Sequence, residues 1–451
     1  MTADRVTAVT ATALRLPRLD LAATDAETTS ARRALCRRGA VPDARVRELT
    51  RGILDGLRSN TDDGVRRANV EFGGGLADGR LLLDRGELER ARDALETDVR
   101  AALEAAIANV RRFAETQRPI SATTDIVPGV SIERRWVPLR RVGCYVPGGS
   151  AAYPSSLIMT VVPAQVAGVE QVVVASPAAA DGTLDPVLLG AAGLLEIETF
   201  VVAGGAQAIG ALAFGLPDAG LEPVDRIVGP GNAWVTAAKL ELAGDVGIDL
   251  PAGPSEGLVL VDGSAHPELA AADLLTQAEH GPDSPAILVT IDPAIADSIE
   301  AAVARQLANA ARRDILTTAL ERHGQIVLAP DLAAAVSFVN DYAPEHLSID
   351  VEPLEATVAQ IRNAGSVFVG RWAPESAGDY ATGANHVLPT GGLARASGAL
   401  ATETYGKFVQ VQRLTRDGLA ALRPTIGRLA AVEGLLAHQA AADLRFADER
   451  P

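Results

Sequence analysis

Short apolar runs that alternate with alanine-rich helical segments constrain the fold of this chain more than any other feature. The runs 171–175, 198–203 and 225–228 have the composition of buried strands, and each is followed by a loop and a segment of helical composition. A further strand is predicted at 141–146. Strand–loop–helix units in series predict a parallel, Rossmann-like sheet.

A second series of strands follows, at 257–261, 286–290, 325–328 and 365–369. Residues 1 to about 120 are predicted to be helical, because apolar residues recur at three- and four-residue spacing. A helical segment, 417–446, ends the chain, and Pro424 is expected to break it or to start a new helix. The predicted fold class is α/β, with two incomplete Rossmann-like parallel-sheet domains and a small helical C-terminal tail.

These patterns predict three units along the chain. The first α/β domain is expected to be discontinuous, comprising 1–137 with 250–385 and including the N-terminal helices. Residues 138–249 are expected to form the second Rossmann-like domain, and residues 386–451 the C-terminal extension and helical tail.

The charge of the chain argues against several classes of function. Its 451 residues carry a formal net charge of −16, and such a field repels the phosphates of nucleic acids. No apolar stretch of about 18 residues is free of charge, and the first residues lack the apolar core of a secretion signal. A cytoplasmic protein without nucleic-acid or membrane partners is therefore expected. Two cysteines, Cys36 and Cys144, are too few for a disulfide framework or a thiolate zinc site.

Loops of small residues at the predicted strand ends favour a nucleotide ligand. They are Gly148-Gly149-Ser150, Gly204-Gly205-Ala206-Gln207 and Gly229-Pro-Gly231-Asn232. The carboxyl edge of an open α/β sheet is where such folds bind ligands. The last loop departs from the usual dinucleotide pattern, since Trp234 stands where a glycine is expected. Any one loop can be a simple connection, but the three together favour a nucleotide.

Histidine is scarce, and two of the six lie in patterns typical of reactive sites. Gln277 and His280 are three residues apart at the end of a predicted helix, so both can project toward one ligand. A polar helix end with a favourable histidine is an equally good explanation. Glu345 and His346 follow Pro344 at a predicted loop-to-helix junction, where they could divide proton transfer between alcohol and water. A capped helix start is the alternative there.

Three other positions also allow a structural interpretation. His386 closes the polar segment 376–386, in which Asp379 is a candidate carboxylate ligand, although an ordinary solvated loop fits equally well. His438 and Glu433 are five residues apart, which is about 140° of rotation on a helix, so periodicity predicts a surface histidine. Cys144 is expected to be a buried structural residue and not a nucleophile.

Taken together, the segments carrying these residues resemble the histidinol dehydrogenase family. The matching segments are GCYVPGG (143–149), VAGGAQAI (202–209), VGPGNA (228–233), PAGPSE (251–256), QAEHGPD (277–283), APEHL (343–347), PESAGDY (374–380), NHVLPT (385–390) and EGLLAH (433–438). They are long, occur in one order and extend from residue 143 to the tail.

The resemblance implies a cytoplasmic homodimeric enzyme that oxidises L-histidinol to L-histidine through L-histidinal with two NAD⁺, in the last steps of histidine biosynthesis. It implies one Zn²⁺ per subunit, which orients the substrate. By resemblance, His346 is the base and Glu345 activates water, and the tail completes the active site of the partner subunit. The implied metal ligands are Gln277, His280, Asp379 and His438. The implied substrate contacts are Ser255, Gln277, His280, His346, Asp379, His386, Glu433 and His438, and the implied NAD contacts are Tyr145, Gln207 and Asn232.

Two other classes of function remain open at this point. A zinc hydrolase would use a metal-bound water with Glu345 as base and would need no nucleotide, which the three glycine loops disfavour. A non-catalytic binding protein on the same fold is disfavoured because a degenerate relative is expected to lack some of the reactive residues.

Overall fold

The computed structural model describes residues 14–148 and 152–449. Gly149 and Ser150 of the first glycine loop lie outside the described residues, as do the first residues used to assess a secretion signal. The strands are β1 (Arg18–Asp20), β2 (Leu82–Leu83), β3 (Ala122–Val127), β4 (Val130–Pro138), β5 (Arg141–Tyr145), β6 (Gln171–Ser176), β7 (Thr199–Val202), β8 (Arg226–Val228), β9 (Gly247–Ile248), β10 (Gly257–Val261), β11 (Ala286–Thr290), β12 (Gly324–Leu328), β13 (His346–Asp350), β14 (Ser366–Val369) and β15 (Gly406–Leu414).

The helices lie mainly between these strands. They are α1 (Ala26–Cys36), α2 (Ala44–Leu57), α3 (Thr61–Phe72), α4 (Arg85–Asp93), α5 (Thr97–Thr116), α6 (Pro154–Ala167), α7 (Pro186–Leu194), α8 (Gly205–Phe214), α9 (Ala233–Leu242), α10 (Pro267–Glu279), α11 (Pro293–Leu307), α12 (Arg313–His323), α13 (Leu332–Tyr342), α14 (Leu354–Val358), α15 (Glu375–Tyr380), α16 (Arg416–Glu433) and α17 (Leu436–Asp443). None of the helices in the described part of the chain has the length and apolar character needed to cross a membrane.

The first sheet is parallel throughout, in the order β1-β12-β11-β10-β13-β14. Its central strands β10 and β11 are buried at every position and are apolar apart from Thr290, as expected for strands covered on both faces. Alternate residues of β10 belong to two different cores, Val259 and Val261 to one and Leu258 and Leu260 to the other. Strand order reverses between β10 and β13, and the candidate catalytic residues lie beside that point.

The second sheet has the order β2-β7-β6-β5-β8-β9 and is parallel except for β2, which pairs antiparallel with β7. Strand order reverses between β5 and β8, because β6 and β7 lie on one side of β5, whereas β8 and β9 lie on the other side. One core packs under α6 and α7, and the other under α8 and α9. Two parallel α/β sheets confirm the predicted fold class.

The N-terminal region is not purely helical, contrary to expectation. Strand β1 pairs with β12 of the first sheet, and β2 pairs with β7 of the second. Strands of three and two residues are too short to produce a periodic pattern, so they could not be predicted from the sequence. Helices α2 to α5 contact α6 to α9. The predicted domain limits stay a prediction, and these contacts favour assigning residues 44–116 to the second unit.

The C-terminal region contains a strand before its helices. Strand β15 forms a nine-residue antiparallel ladder with β4, and β3 completes this small sheet. The helical tail is confirmed, but Pro424 neither breaks nor starts a helix, since it lies inside α16. Ala420, four residues earlier, is exposed, so water can bind the carbonyl that proline leaves without a donor. The helix instead ends at Gly434, whose φ of 72° suits glycine.

Candidate active site

The candidate catalytic pair lies at the amino end of a strand and not at the start of a helix. Helix α13 ends at Tyr342, and β13 begins at His346. The backbone N–H of His346 donates to the carbonyl of Glu256, just before β10. The predicted loop-to-helix junction is therefore wrong: the alternation in Leu347-Ser-Ile-Asp350 continues as a strand of the first sheet.

Glu345 is a buried carboxyl group held by two donors. Its Oε2 accepts a hydrogen bond from Ser255 Oγ at 2.7 Å and one from the backbone N–H of Glu256 at 2.9 Å. Burial raises the pKa of Glu345 to about 8, and these two hydrogen bonds oppose that shift. A carboxyl group whose pKa is near neutrality can take a proton from water or return one.

The imidazole of His346 is buried without a hydrogen-bond partner. The residue is 3% exposed, and neither ring nitrogen has a partner. Its Nδ1 lies 3.7 Å from Glu345 Oε2 and 3.8 Å from Glu375 Oε1. Burial lowers the pKa of His346 to about 4, so the ring is neutral near pH 7. An unpaired neutral imidazole in a buried site is available to accept a proton from a ligand.

A cluster of His280, Glu375 and Asp379 lies next to this pair. One potential ligand atom from each lies within 4.8 Å of the others, and His280 Nε2 is 3.2 Å from Glu375 Oε1. Burial lowers the pKa of His280, but the hydrogen bond and charge of Glu375 outweigh burial and raise the pKa to about 9. Burial, followed by the charge of Glu375, raises the pKa of Asp379. Two carboxyl groups are thus brought together where a cation would offset their repulsion.

Gln277 completes this side of the site. The residue is 1% exposed, and both its amide oxygen and its amide nitrogen lack partners. A Cβ added at Gly257 would lie 2.7 Å from its side chain, so the absence of a side chain there leaves it room. Gln277 and His280 both lie at the end of α10, as their spacing predicted. A buried amide without partners, three residues before the imidazole of His280, fits a metal site.

The remaining residues that the sequence predicted to contact substrate fall into two groups. His386 is joined to the site, since its Nδ1 lies 3.0 Å from the carbonyl of Asp379 and its Nε2 lies 3.3 Å from Ser156 Oγ. Glu433 and His438 are exposed on the tail, and His438 is not part of the cluster found among the described residues. The chain alone thus brings together His280 and Asp379, with Gln277 at the same helix end as His280, and the described residues do not bring the fourth expected ligand to them.

The candidate nucleotide residues follow strands of the second sheet. The hydroxyl of Tyr145, at the end of β5, accepts a hydrogen bond from the N–H of Gly205 at the start of α8. Gln207 is buried, with its amide 3.4 Å from Asn69 Oδ1. Asn232 caps α9 by accepting from the N–H groups of Trp234 and Val235. These positions flank the point between β5 and β8 at which strand order reverses, where open α/β sheets bind ligands.

Comparison with known proteins gives one family. The model of the histidinol dehydrogenase family matches residues 36–446. A histidinol dehydrogenase of Halobacterium salinarum is 48% identical over 417 residues, which cover 92% of this chain and 96% of that protein. One of Nocardia farcinica is 43% identical over 442 residues, covering 96% and 98%. A crystal structure of histidinol dehydrogenase from Elizabethkingia anophelis covers 96% of this chain and 98% of its own, with a TM-score of 0.88 and 33% identity.

The chain belongs to the histidinol dehydrogenase family. Membership confirms the predicted resemblance over nearly the whole chain.

Two residues of this histidinol dehydrogenase family member escaped the sequence analysis. Glu375 was visible only as part of the matching segment 374–380, yet its carboxyl group contacts His280. Lys239 is one of two lysines in the sequence and lies in an apolar helix. It is buried, pairs with Asp249 and donates to the carbonyl of Gly229 at 3.0 Å. Asp249 in turn accepts from the N–H of Gly229 at 2.7 Å, so one buried ion pair holds the last glycine loop.

Cys144 has the properties of a structural residue. It is inaccessible to solvent, and burial raises the pKa of its thiol to about 12. The thiolate that a nucleophile would need is therefore disfavoured at neutral pH.

Proposed function

We propose that this protein oxidises L-histidinol to L-histidine through L-histidinal with two NAD⁺, in the cytoplasm and at the end of histidine biosynthesis. Family membership supports the overall reaction. The observation that carries the proposed mechanism is the buried pair of Glu345 and the unpartnered His346 beside the cluster of His280, Glu375 and Asp379.

A zinc ion fits the residues on the metal side of this site. We assign Gln277, His280 and Asp379 of one chain and His438 of the partner's tail as its ligands, with one ion per subunit. Imidazole and carboxylate are ordinary zinc donors, and an amide oxygen is an unusual one. The fit rests on the two unsatisfied amide atoms of Gln277 and on the buried carboxyl groups beside His280. When bound, zinc would supply orientation and charge stabilisation to the imidazole and amine of the substrate.

His346 would act in the first oxidation. Its neutral ring accepts the proton of the substrate hydroxyl while the hydride on the same carbon leaves to the nicotinamide of NAD⁺. Removing both from the alcohol leaves the aldehyde. The low pKa of His346 keeps the ring unprotonated and able to act before substrate arrives.

Glu345 would act in the second oxidation. Its carboxylate takes a proton from a water molecule, and the remaining hydroxide adds to the aldehyde carbon. The hydrated aldehyde then loses its hydride to a second NAD⁺ and becomes the acid. Ser255 and the backbone N–H of Glu256 hold the carboxylate in place for this step.

The other residues would bind and orient. Ser255, His386 and Glu433 are proposed to contact the substrate together with the metal ligands and His346. Tyr145, Gln207 and Asn232 are proposed to bind NAD⁺ at the edge of the second sheet. Asn232 is exposed and can meet a ligand directly, whereas Tyr145 and Gln207 are each 3% exposed.

A homodimer that shares its active sites is favoured by the tail. Glu433 and His438 are exposed on α16 and α17. Large apolar side chains on the same segment are also exposed, namely Leu429, Val432, Leu435, Leu436 and Leu444. Apolar residues grouped in this way mark a surface that another protein covers. We propose that the partner subunit covers it and receives His438 and Glu433 in its site.

Mixing two inactive variants tests this sharing. In a heterodimer of His346→Ala with His438→Ala, one of the two sites would contain no substitution and the other would contain both. An equal mixture after full subunit exchange should recover about a quarter of the wild-type activity, since about half of the dimers are mixed. Sites built within one chain would give no recovery, with mixed dimers verified by mass spectrometry.

The number of NADH molecules formed per histidinol consumed tests the whole proposal. We expect two NADH with zinc-loaded protein. After a chelator removes the metal, turnover should fall by about 10²-fold or more, because the substrate loses its orientation. One NADH would mean an alcohol dehydrogenase and would remove Glu345 from its role.

The absence of any NADH with zinc-loaded protein would favour the hydrolase instead. Zinc content measured on Gln277→Ala and His280→Ala gives a readout independent of activity, and both variants should bind less zinc than the wild type.

A further inference from the structure

Arg38 lies outside every site assigned above, but it is bonded to the segment that holds Glu345. Its Nε and Nη2 donate to the two carboxylate oxygens of Glu256, each at 2.5 Å. Glu256 is 2% exposed, and its backbone N–H is one of the two donors to Glu345. Its carbonyl accepts from the N–H of His346. Glu256 is therefore the one residue that links Arg38 to both proposed proton-transfer residues, Glu345 and His346.

The same guanidinium is bonded to the chain on the other side of Glu345. Nη1 of Arg38 donates to the carbonyl of Tyr342 at 2.7 Å, and Nη2 lies 3.5 Å from the carbonyl of Ala343. The guanidinium also lies over the ring of Tyr342, 3.3 Å from its centroid. Ala343 has a φ of 52°, a backbone conformation that residues with a Cβ rarely adopt. Arg38 thus binds the carbonyls of two successive residues, Tyr342 and Ala343.

We propose that Arg38 is a positioning residue for Glu345, because its guanidinium joins the Ser255–Glu256 segment to the Tyr342–Ala343 turn and so holds the carboxyl group between them. This inference rests on the proposed role of Glu345 in water activation. Arg38 touches no reacting atom and acts only through Glu256 and the turn.

The chemistry of the contacts requires arginine. A planar guanidinium can bind a carboxylate with two parallel hydrogen bonds and still donate to carbonyls at its other edge. The ammonium of lysine keeps the charge but cannot make both sets of contacts. Lysine at position 38 therefore separates the effect of charge from the effect of position.

Arg38 also balances the charge of Glu256 near Glu345. The charged and titratable groups around Glu345 include Glu256, Tyr342 and the rings of His346 and His280. Removing Arg38 leaves the charge of Glu256 uncompensated, whereas Glu256→Gln leaves Arg38 uncompensated. The two changes should move the pH dependence of the Glu345 step in opposite directions, upward for the first and downward for the second.

The test measures the two oxidations separately in the dimeric, zinc-loaded enzyme, with histidinol and with histidinal as substrates under single-turnover conditions. Arg38→Met should lower the rate with histidinal at least tenfold more than the rate with histidinol. Arg38→Lys should show a similar bias, since it restores the charge but not the geometry. The matched control is Arg18→Met, because Arg18 on the edge strand β1 pairs with the buried Glu300 of α11, and three strands separate β1 from β13 in the first sheet. It should leave the ratio of the two rates unchanged.

Three outcomes would overturn the inference. Equal losses of rate in both oxidations for Arg38→Met would mean that Arg38 stabilises the structure without positioning Glu345. If Arg38→Met and Glu256→Gln shift the pH profile of histidinal oxidation in the same direction, the proposed charge balance is contradicted. Full activity of Arg38→Lys would contradict the need for a guanidinium. Glu345→Gln serves as the reference: if it fails to slow the histidinal step selectively, the proposed function fails, whereas selective slowing there without an effect of Arg38→Met defeats only this inference.

Discussion

Replacing His346 with alanine should lower the rate of histidinol oxidation by about 10²- to 10⁴-fold, the usual contribution of a general base. The physical reason is that no other unpartnered neutral base is found beside it among the described buried side chains. The rate is measured as the first NADH formed in a single turnover. Zinc content should stay at the wild-type level, because His346 is not among the proposed ligands.

A matched control separates this effect from a general loss of structure. His266 is exposed before α10, and His266→Ala should leave both the rate and the zinc content unchanged. Wild-type turnover by His346→Ala, with correct folding confirmed by circular dichroism, would contradict the proposed role.

Replacing Glu345 with glutamine should slow the oxidation of histidinal by about 10²- to 10⁴-fold and affect the oxidation of histidinol much less. Glutamine keeps an oxygen that can accept from Ser255 and from the N–H of Glu256, so the local structure should persist. It cannot take a proton from water. Stopped-flow measurement of NADH from each substrate gives the two rates, and equal losses in both would assign water activation to another group.

The pH dependence of the same step provides an independent check. The active form of Glu345 is the carboxylate, and burial raises its pKa to about 8. The rate with histidinal should therefore rise with pH up to about 8 and fall about tenfold per unit well below it. Glu345→Gln should lose this dependence.

The sequence predicts the two parallel sheets well because their strands are buried on both faces. Strands such as β10 and β11 form continuous apolar runs bounded by turns, which is a local signal. β1, β2 and β15 carry no such signal: two are very short, and β15 belongs to a small, largely exposed antiparallel sheet. Their existence depends on the partner strand and cannot be derived from their own residues.

The sequence predicted some residues of the candidate site better than others, and each difference has a physical reason. Gln277 and His280 share one helix end, so their spacing of three residues sufficed. Glu345 was misplaced because Pro344 suggested a helix start, whereas pairing with β10 determines a strand. Periodicity gives no role to His438, because its side chain is exposed on the tail and is not part of the cluster found among the described residues.

The two halves of the proposed site lie on different sheets, and this arrangement bears on what would happen between the two proposed oxidations. The proposed proton-transfer pair lies by the amino ends of β10 and β13, whereas the proposed NAD residues follow strands of the second sheet. In the proposed reaction, spent dinucleotide would leave along one sheet while the half-oxidised substrate stays bound at the other. A reactive aldehyde handled in this way would not need to diffuse through the cell, where free amines would capture it.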